Sequence, residues 1–512
     1  MACTRCQETG LRSLFLTCYH KVWVVMLQKS SRYVLPFLEL GTLMALFLII
    51  LWASGALLEE WGVLNAFNTQ GIGYYESFFP LIVLRPLHLV PYMLQWFLGH
   101  GHPFGVSLAL GALLVLRYTV ARWAVSPLVT GYGRWVLSTV AAVLLPWAGV
   151  WLGRFSSAQM SAVFFLFVFG FSVRLFSRWS AIYFVAVIFF MNALLMTYQG
   201  LAICLLAIPV SLLLVDFFQE KGEGGCGKKY LISFLRSFVS ILCGFLLYAL
   251  YYLFIMRIIG NSGYEAELSI DVSRLLTFSG VMSHTMAAFH TAYGIQFLVL
   301  PFFFAIVFLV GYPNISFKNH YFLLSIFMIL VMLPILSIIY VSELHVRDPE
   351  RVLYPVSMGF FMVMFMVLSV SDKIMDSNMS SENIVVSLII ISSVFIYSFE
   401  FREYKNIQYD FLNQLVGIVK ERKLPSVMVR DYTGILGDVY TFLPPTLTDA
   451  MAISGIAIPA DICTPANVDR KHPLAQRYPI KSTERCEDLK GLPAGITFIS
   501  AYMVDGKIYL KE

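Results

Sequence analysis

Long apolar segments recur along the chain and limit what it can fold into. Runs of about 18 to 25 residues with few charges are each long enough to cross a hydrocarbon layer of about 30 Å as an α-helix. About eleven such runs occur, near residues 34–57, 104–123, 132–152, 157–176, 179–196, 200–218, 231–256, 292–311, 320–341, 354–371 and 384–399. We therefore predict an all-α polytopic membrane protein with about eleven transmembrane helices.

The composition excludes an ordinary soluble enzyme. Of the 512 residues, 58% are hydrophobic and only 13% are charged, and the mean hydropathy is +0.75, whereas about 25% of the residues in a typical soluble domain are charged. The net charge of +5 includes no dense basic block that could follow a phosphate backbone, so we expect no nucleic acid partner. A chain this apolar must bury its surface in a core or in lipid, which also excludes disorder.

Charged residues separate between alternate loops. With the N-terminus in the cytoplasm, the cytoplasmic loops hold most of the basic residues, namely Arg122, Arg134, Arg174, Arg178, Lys221, Lys228, Lys229, Lys318 and Lys373. Acidic residues fall mainly in the opposite loops, as the positive-inside rule requires. An odd number of spans then places the C-terminus outside the cytoplasm. We expect an integral membrane protein of the bacterial inner membrane with a periplasmic C-terminus, or of the endoplasmic reticulum in a eukaryote.

Three regions differ in composition. Residues 1–33 mix apolar and basic side chains, which favours a cytoplasmic amphipathic segment on the membrane surface. Residues 34–400 contain the apolar runs and form the predicted transmembrane domain. Its longer outer loops are 58–103, 257–291 and 341–354. Residues 401–512 are more polar and are predicted to form a small exported α/β segment.

The C-terminal segment has recognisable secondary-structure signals. A helix is predicted near 406–421, and two short strands near 496–502 and 507–510 are separated by an Asp-Gly turn signal. Cys463 and Cys486 are the cysteines of this segment. Two cysteines in an oxidising compartment favour a disulfide, and two buried free thiols are the alternative.

The loop after the first apolar run holds the richest polar cluster in the apolar part of the chain. It contains Glu59, Glu60, Tyr74, Tyr75, Arg85 and His88. One interpretation is a catalytic carboxylate with an arginine that binds an anion. The other is an interfacial loop with solvated acids and an arginine that reaches toward the membrane surface.

Three segments together with this loop resemble one family. They are the stretch from Arg85-Pro-Leu to Pro103-Phe-Gly, Trp151-Leu-Gly-Arg154, and Glu350-Arg-Val-Leu-Tyr-Pro-Val-Ser-Met-Gly-Phe360. In this order they resemble the polytopic GT-C glycosyltransferases. The last segment is similar to a late-loop motif of the O-mannosyltransferases that carry tetratricopeptide repeats, and of their bacterial relatives.

The resemblance implies inverting transfer of a sugar from a polyprenyl-phosphate donor to an acceptor outside the cytoplasm, either a cell-envelope glycan such as O-antigen or a protein. A base is needed because the acceptor hydroxyl has a high pKa, and in this family it lies in the first outer loop, where Glu59 and Glu60 stand here. The departing lipid phosphate needs fixed cationic donors. Arg351, Arg85 and Arg154 are the candidates.

The remaining expectations concern the substrate and cofactors. Tyr354, His88, Tyr74 and Tyr75 are expected to shape the substrate site, although aromatic residues at a membrane interface need no such role. No metal and no other cofactor is expected, and the partners are the polyprenyl-phosphate sugar, the acceptor and membrane lipid.

The chain departs from the family pattern at several points, which implies a different substrate. Glutamate stands where the family usually has aspartate. Tyr198-Gln199-Gly200 stands where the O-mannosyltransferases commonly carry a Lys-Glu pair, and the C-terminal segment lacks a period of about 34 residues.

Two other functions remain open at this point. An envelope-glycan polymerase or ligase would use a polyprenyl diphosphate instead of a monophosphate. A sugar or lipid transporter would carry out no chemistry, but transporters tend to show repeated halves with polar residues at mid-membrane, and here the charges gather on one face.

Overall fold

The computed structural model describes residues 35–57, 59–145, 156–219, 227–259, 349–374, 381–436, 446–468, 485–489 and 495–511, with a few isolated positions elsewhere. Six helices in this part of the chain are long and apolar enough to cross a membrane, and each coincides with a predicted run. They are Leu35–Ala53, Phe104–Val125, Ser156–Ser177, Gln199–Phe218, Tyr230–Ile258 and Leu353–Val370. The predicted runs 292–311 and 320–341 and the N-terminal segment 1–33 lie almost wholly outside the described residues.

Helices form most of the described chain. In order they are α1 Leu35–Ala53, α2 Glu59–Gln70, α3 Gly73–Phe78, α4 Val90–Gly99, α5 Phe104–Val125, α6 Gly131–Val143, α7 Ser156–Ser177, α8 Ala181–Thr197, α9 Ala202–Gln219, α10 Gly227–Ile259, α11 Pro349–Ile374, α12 Ser381–Arg422 and α13 Thr446–Ile453. Short 3-10 turns at Phe79–Leu81 and Gln199–Leu201 follow α3 and α8.

Two helix lengths differ from the sequence prediction. Helix α6 has 13 residues, about 20 Å, and ends where Leu144 takes a positive φ of 56°, although the apolar run continues to residue 152. Helix α12 has 42 residues and joins the predicted last run to the helix predicted near 406–421. The change of composition near residue 400 therefore falls inside a continuous helix, and the count of eleven spans stays a prediction.

Helix α11 lies inside the bundle. Its segment Leu353–Val370 is wholly buried, whereas only 17% of the span in α10 is buried within the protein. The ring of Phe169 from α7 meets Phe361 and Phe365 edge-on, at 5.4 and 4.8 Å between ring centroids. A helix covered on all sides in this way is placed by protein contacts rather than by lipid.

One end of the bundle gathers basic side chains around a buried carboxylate. The Nε atom of Arg122, in the last turn of α5, lies 3.0 Å from the Glu39 carboxylate of α1, and Arg134 of α6 approaches the same group at 3.8 Å. At the end of α7, the Arg174 guanidinium lies over the Trp123 ring at 3.9 Å. The arginines that the sequence assigns to the cytoplasmic loops thus share one end.

The C-terminal region forms a four-stranded sheet in the order β2-β1-β3-β4. The strands are β1 Val427–Asp431, β2 Ala460–Cys463, β3 Thr497–Val504 and β4 Lys507–Lys511. Strand β1 pairs in parallel with β2 and β3, and β3 pairs antiparallel with β4. Helix α13 connects β1 to β2, so β1, α13 and β2 form a βαβ unit with a small sheet.

Two predictions for this region are confirmed. Strands β3 and β4 are joined by Asp505 and Gly506, which both take positive φ, as a two-residue hairpin turn requires. Cys463 and Cys486 form a disulfide. Gln414 of α12 donates a hydrogen bond of 2.9 Å to the Ile508 carbonyl, which ties the sheet to the long helix.

Candidate functional site

Residues 59–103, between α1 and α5, fold into a compact layer that we call the cap. Phe67 of α2 is fully buried in it. Its ring meets Tyr74 edge-on at 5.0 Å and stacks on Trp96 at 5.8 Å. The predicted first outer loop is therefore an ordered element with its own apolar core, which fixes the positions of its polar side chains.

A tight corner connects the cap to α5. A side chain at Gly105 would place its Cβ only 2.1 Å from the carbonyl oxygen of Gln95, so the two helices can approach only with glycine here. His100 takes the left-handed conformation that ends α4, and His102 Nδ1 accepts the Phe104 N–H at 3.1 Å. These histidines therefore shape the corner. In the part of the chain that is described, no group of three or more His, Cys, Asp or Glu could hold a metal ion.

The two glutamates predicted as the base stand at the start of α2. Glu60 is 1% exposed, and its Oε2 accepts the Leu57 N–H at 3.3 Å. Burial and the nearby charge of Glu60 raise the pKa of Tyr409 on α12. Glu59 is the first residue of α2. The Glu60 carboxylate can thus reach a substrate only if the junction between α1 and α2 opens, and the catalytic role of both residues stays a prediction.

Helix α12 holds this junction in place. Lys405 Nζ donates to the carbonyls of Trp52 and Ser54 at 2.7 and 3.2 Å. Ser107 of α5 donates to the same Ser54 carbonyl at 2.9 Å. Burial, and secondarily the charge of Arg402, lowers the pKa of Lys405. The helix that leads into the C-terminal region therefore also fixes the start of the cap.

The segment that we call the Arg85 loop, residues 82–89, is fixed by tyrosine hydroxyls. Each hydroxyl donates to a backbone carbonyl of the loop: Tyr75 of α3 to Pro86 at 2.5 Å, Tyr248 of α10 to Leu84 at 3.0 Å, and Tyr251 of α10 to Val83 at 2.6 Å. Three of the loop's carbonyls are thus held in place, which favours a rigid loop. Tyr75 thus positions the loop that carries Arg85.

The end of α8 holds the other side of the Arg85 loop. The Leu87 N–H donates to the Met196 carbonyl at 3.0 Å. His88 Nδ1 lies 3.3 Å from the Thr197 carbonyl. Because a carbonyl oxygen only accepts, this contact makes Nδ1 the protonated nitrogen of His88.

Three sequence segments meet at this end of the bundle. The Gln199 amide donates to the Tyr248 hydroxyl, which in turn donates to the Arg85 loop. The neighbouring Tyr198 ring lies edge-on to Tyr354, at 6.4 Å between centroids. Tyr354 is 1% exposed within α11. The Arg85 loop, the Tyr198-Gln199-Gly200 turn and the Tyr354 motif are therefore neighbours.

The two remaining predicted arginines are less well placed. The backbone of Arg351 lies in the first turn of α11, three residues before Tyr354 and so about one helical turn from it. Arg154 lies outside the described residues. Tyr74 and Tyr75 are both in α3, and His88 lies in the Arg85 loop.

The sequence analysis missed Arg117, a fully buried cation in the middle of α5. Its Nε and Nη2 donate to the Ala142 carbonyl near the end of α6, at 3.1 and 2.8 Å, and Nη1 donates to Gln159 of α7 at 2.9 Å. It is also close enough to Tyr354 to interact electrostatically. A single charge inside an apolar run was the available signal, since such residues usually have a role in packing or function.

Asp449 of α13 is the second residue that the sequence analysis missed. Its Oδ1 accepts a hydrogen bond of 2.8 Å from Asn65 of α2. Burial raises the pKa of Asp449, and the bond from Asn65 partly opposes that shift. The pKa of Tyr74 is raised by burial and then by the charge of Asp449. No local pattern predicts this carboxylate, because the contact joins the C-terminal region to the cap.

No protein-family model matches the chain, and no curated protein matches it.

Proposed function

We propose that the protein is an inverting GT-C membrane glycosyltransferase that moves a sugar from a polyprenyl-phosphate donor to an acceptor outside the cytoplasm. The acceptor is a cell-envelope glycan such as O-antigen, or a protein. The observation that carries this proposal is the meeting of the Arg85 loop, the Tyr198-Gln199 turn and Tyr354 at one end of the bundle.

The arginines of this end suit the donor phosphate. Negative charge on the lipid phosphate grows as the bond to the sugar breaks, and donors that are already in place stabilise it best. Arg85 stands on a loop that Tyr75 and the end of α8 hold in shape. Arg351 lies in the first turn of the helix that carries Tyr354. The planar, permanently charged guanidinium can donate two parallel hydrogen bonds to two oxygens of one phosphate.

Tyrosines around the same loop suit the sugar. A tyrosine ring offers an apolar face and a hydroxyl at its edge, which matches a sugar with apolar and hydroxyl-bearing sides. Tyr75 and Tyr248 use their hydroxyls to hold the loop. Tyr198 and Tyr354 are buried and lie edge-on to each other beside it, so they support the loop from the protein interior.

Transfer also requires a base. The acceptor oxygen forms a bond to the anomeric carbon while the bond from that carbon to the phosphate oxygen breaks, and the hydroxyl proton passes to a carboxylate. The bonding electrons leave with the polyprenyl phosphate. The sequence names Glu59 and Glu60 for the base, and both remain candidates.

The topology that we propose has about eleven spans, with the N-terminus in the cytoplasm and the C-terminus outside it. The disulfide between Cys463 and Cys486 supports an oxidising location for the C-terminal region. The cluster of Arg122 and Arg134 at the other end of the bundle supports a cytoplasmic location there. A bacterial inner membrane fits both.

The test uses the full-length protein purified in detergent. It is incubated with radiolabelled polyprenyl-phosphate sugars, with and without a crude envelope acceptor, and the sugar released from the lipid is measured. Acceptor-dependent release from one donor is expected. Arg85→Ala should weaken apparent donor binding, whereas Arg422→Ala, the same change at the exposed end of α12, should not. No release from any monophosphate donor would favour a diphosphate-dependent polymerase or a transporter instead.

A further inference from the structure

Asp449 is held firmly where the C-terminal region meets the cap. Its neighbour Thr448 accepts the Ala460 N–H and donates to the Ala460 carbonyl, both at 2.8 Å, which fixes the start of α13 on strand β2. On the cap side, Asn65 binds Oδ1. The carboxylate is therefore positioned by two separate elements of the fold.

Helix α2 leaves room for the second carboxylate oxygen. A Cβ at Gly62 would lie 3.2 Å from Asp449 Oδ2, a separation that is tight for any larger side chain. With glycine at this position, Oδ2 lies against the backbone of α2. Asp449 as a whole is only partly buried, in contrast to Glu60, which is 1% exposed.

Helix α3 connects Asp449 to the Arg85 loop. Asp449 interacts electrostatically with Tyr74. The next residue, Tyr75, donates its hydrogen bond to Pro86, the neighbour of Arg85. The Cα atoms of Tyr74 and Tyr75, as neighbours in the chain, are about 3.8 Å apart. These two residues therefore link the Asp449 carboxylate to the Arg85 loop.

Glu60 differs from Asp449 in its access to substrate. Its carboxylate is enclosed and accepts the Leu57 N–H of its own helix start. The partial desolvation that raises the pKa of Asp449 makes it a better proton acceptor than a solvated aspartate. The more accessible carboxylate thus also has the more suitable environment.

We infer that Asp449 is the base that accepts the proton of the acceptor hydroxyl, so that the C-terminal region supplies a catalytic residue to the cap. This inference rests on the proposed glycosyl transfer. As the acceptor oxygen bonds to the anomeric carbon, its proton passes to the Asp449 carboxylate, and the electrons of the broken bond leave with the lipid phosphate.

The described elements packed against α13 are α2, β2 and α12, and each carries titratable groups. Tyr74 of α3 interacts electrostatically with Asp449. Glu59 and Glu60 lie three and two residues before Gly62 in the first turn of α2. Asp461 lies on β2, and Lys405 and Tyr409 lie on α12 where it meets the start of the cap. A base at this position is therefore tuned mainly by burial and by Asn65.

The competing role for Asp449 is a clamp that only fastens α13 to α2. Two substitutions separate these roles, because Asp449→Asn keeps an oxygen that Asn65 can bind but removes the base, and Asn65→Ala removes the clamp but keeps the base. A catalytic base predicts that Asp449→Asn lowers kcat at least about a hundredfold, with unchanged donor KM. Asn65→Ala should then stay within about tenfold of the unmodified protein.

The pH profile gives a readout that a clamp would not affect. Because Asn65 lowers the pKa of Asp449, Asn65→Ala should shift the acidic limb of kcat/KM to higher pH. Asp505→Asn, the same chemical change in the exposed β3–β4 turn, is the matched control and should match the unmodified protein in every assay. Thermal melting in detergent checks that each variant is folded, and Asp449→Glu should restore part of the rate.

The outcomes separate the inference from the proposed function. An unmodified protein that transfers no sugar from any donor overturns both. Transfer by Asp449→Asn equal to that of Asp505→Asn overturns the inference and leaves the proposed function intact. The inference is also overturned, with the proposed function intact, if Asn65→Ala loses most of the transfer rate while Asp449→Asn loses little. The same holds if Glu59→Gln alone lowers the transfer rate a hundredfold.

Discussion

The side-chain nitrogen of Asn65 lies 2.8 Å from a carboxylate oxygen of Asp449, a residue 384 positions later in the chain. This bond joins the cap to the C-terminal region. Lys405 makes a second connection by binding the carbonyls that precede the cap. The cap and the C-terminal region are therefore expected to respond together when either is altered.

Asp449→Asn should raise thermal stability at neutral pH. The pKa of Asp449 in the folded protein lies above its ordinary value of 3.8, so between the two values the folded state binds more protons than the unfolded state. Stability thus falls as pH rises through that window, and the neutral amide removes the penalty. The melting temperatures of the unmodified protein and of Asp449→Asn should differ at pH 7 but not below pH 4. An equal difference at both pH values would exclude the charge as the cause.

Tyr75→Phe should weaken donor use without affecting the fold. The change removes the hydroxyl that binds the Pro86 carbonyl, and a hydrogen bond of this kind contributes about 1 kcal/mol. The Arg85 loop then loses one of its fixed points, and donor KM should rise about fivefold. Steady-state transfer assays measure this effect. Tyr502→Phe, in the exposed part of β3, provides the control, and an equal rise in KM there would argue against a role in positioning the loop.

Gly105→Ala should destabilise the corner between α4 and α5. The added Cβ would meet the Gln95 carbonyl at 2.1 Å, and because that atom belongs to the backbone the helices must separate, at a cost of about 1–3 kcal/mol. Gly417→Ala is the matched change in α12, where nothing lies within 4 Å of the added Cβ. There, alanine should stabilise the helix by about 0.5–1 kcal/mol. Thermal melting in detergent should show shifts of opposite sign.

Arg117→Leu should destabilise the bundle by about 3 kcal/mol, because the Ala142 carbonyl and the Gln159 amide oxygen lose a charged donor in a buried setting. Arg117→Lys should recover only part of this loss, since an ammonium lacks the planar fork. Melting temperatures in detergent provide the measurement. The control is Arg257→Leu at the exposed end of α10. If Arg117→Leu melts like that control, the buried contacts contribute little.

Replacing both Cys463 and Cys486 by serine should destabilise the C-terminal region by about 2–4 kcal/mol, because the crosslink restricts the unfolded chain. Since α13 contacts the cap, limited proteolysis should also cut the cap sooner in this variant. Replacement of the free Cys243 should leave the digestion pattern unchanged. If proteolysis releases the C-terminal region while the rate of cleavage in the cap does not change, the two regions are not coupled.

Patterns within short stretches of sequence predicted much of the fold. The apolar runs predicted the six helices that are long enough to span a membrane. The Asp505-Gly506 turn and the disulfide from Cys463 to Cys486 were also predicted correctly. Each depends on local composition, turn chemistry or cysteine count, which the sequence displays directly.

Helix ends were less predictable than helix existence. Hydropathy alone does not show that α6 stops at Val143, since the apolar run continues beyond it. Close to that end, the Ala142 carbonyl accepts a hydrogen bond from Arg117. This partner belongs to another helix, α5. The start of α2 is similar, because its Trp61 ring lies 5.6 Å from the Tyr409 ring of α12, a residue far along the chain.

The sequence by itself determined that the chain is a mainly helical membrane protein with a small disulfide-linked α/β region, because hydropathy, turn residues and cysteines act over short distances. Only the tertiary structure decided that the Arg85 loop lies beside Tyr198 and Tyr354 and that Asp449 lies on the cap. Those relationships join residues more than a hundred positions apart, as the Asn65 bond to Asp449 shows. They depend on how helices pack against one another, which no short stretch of sequence specifies.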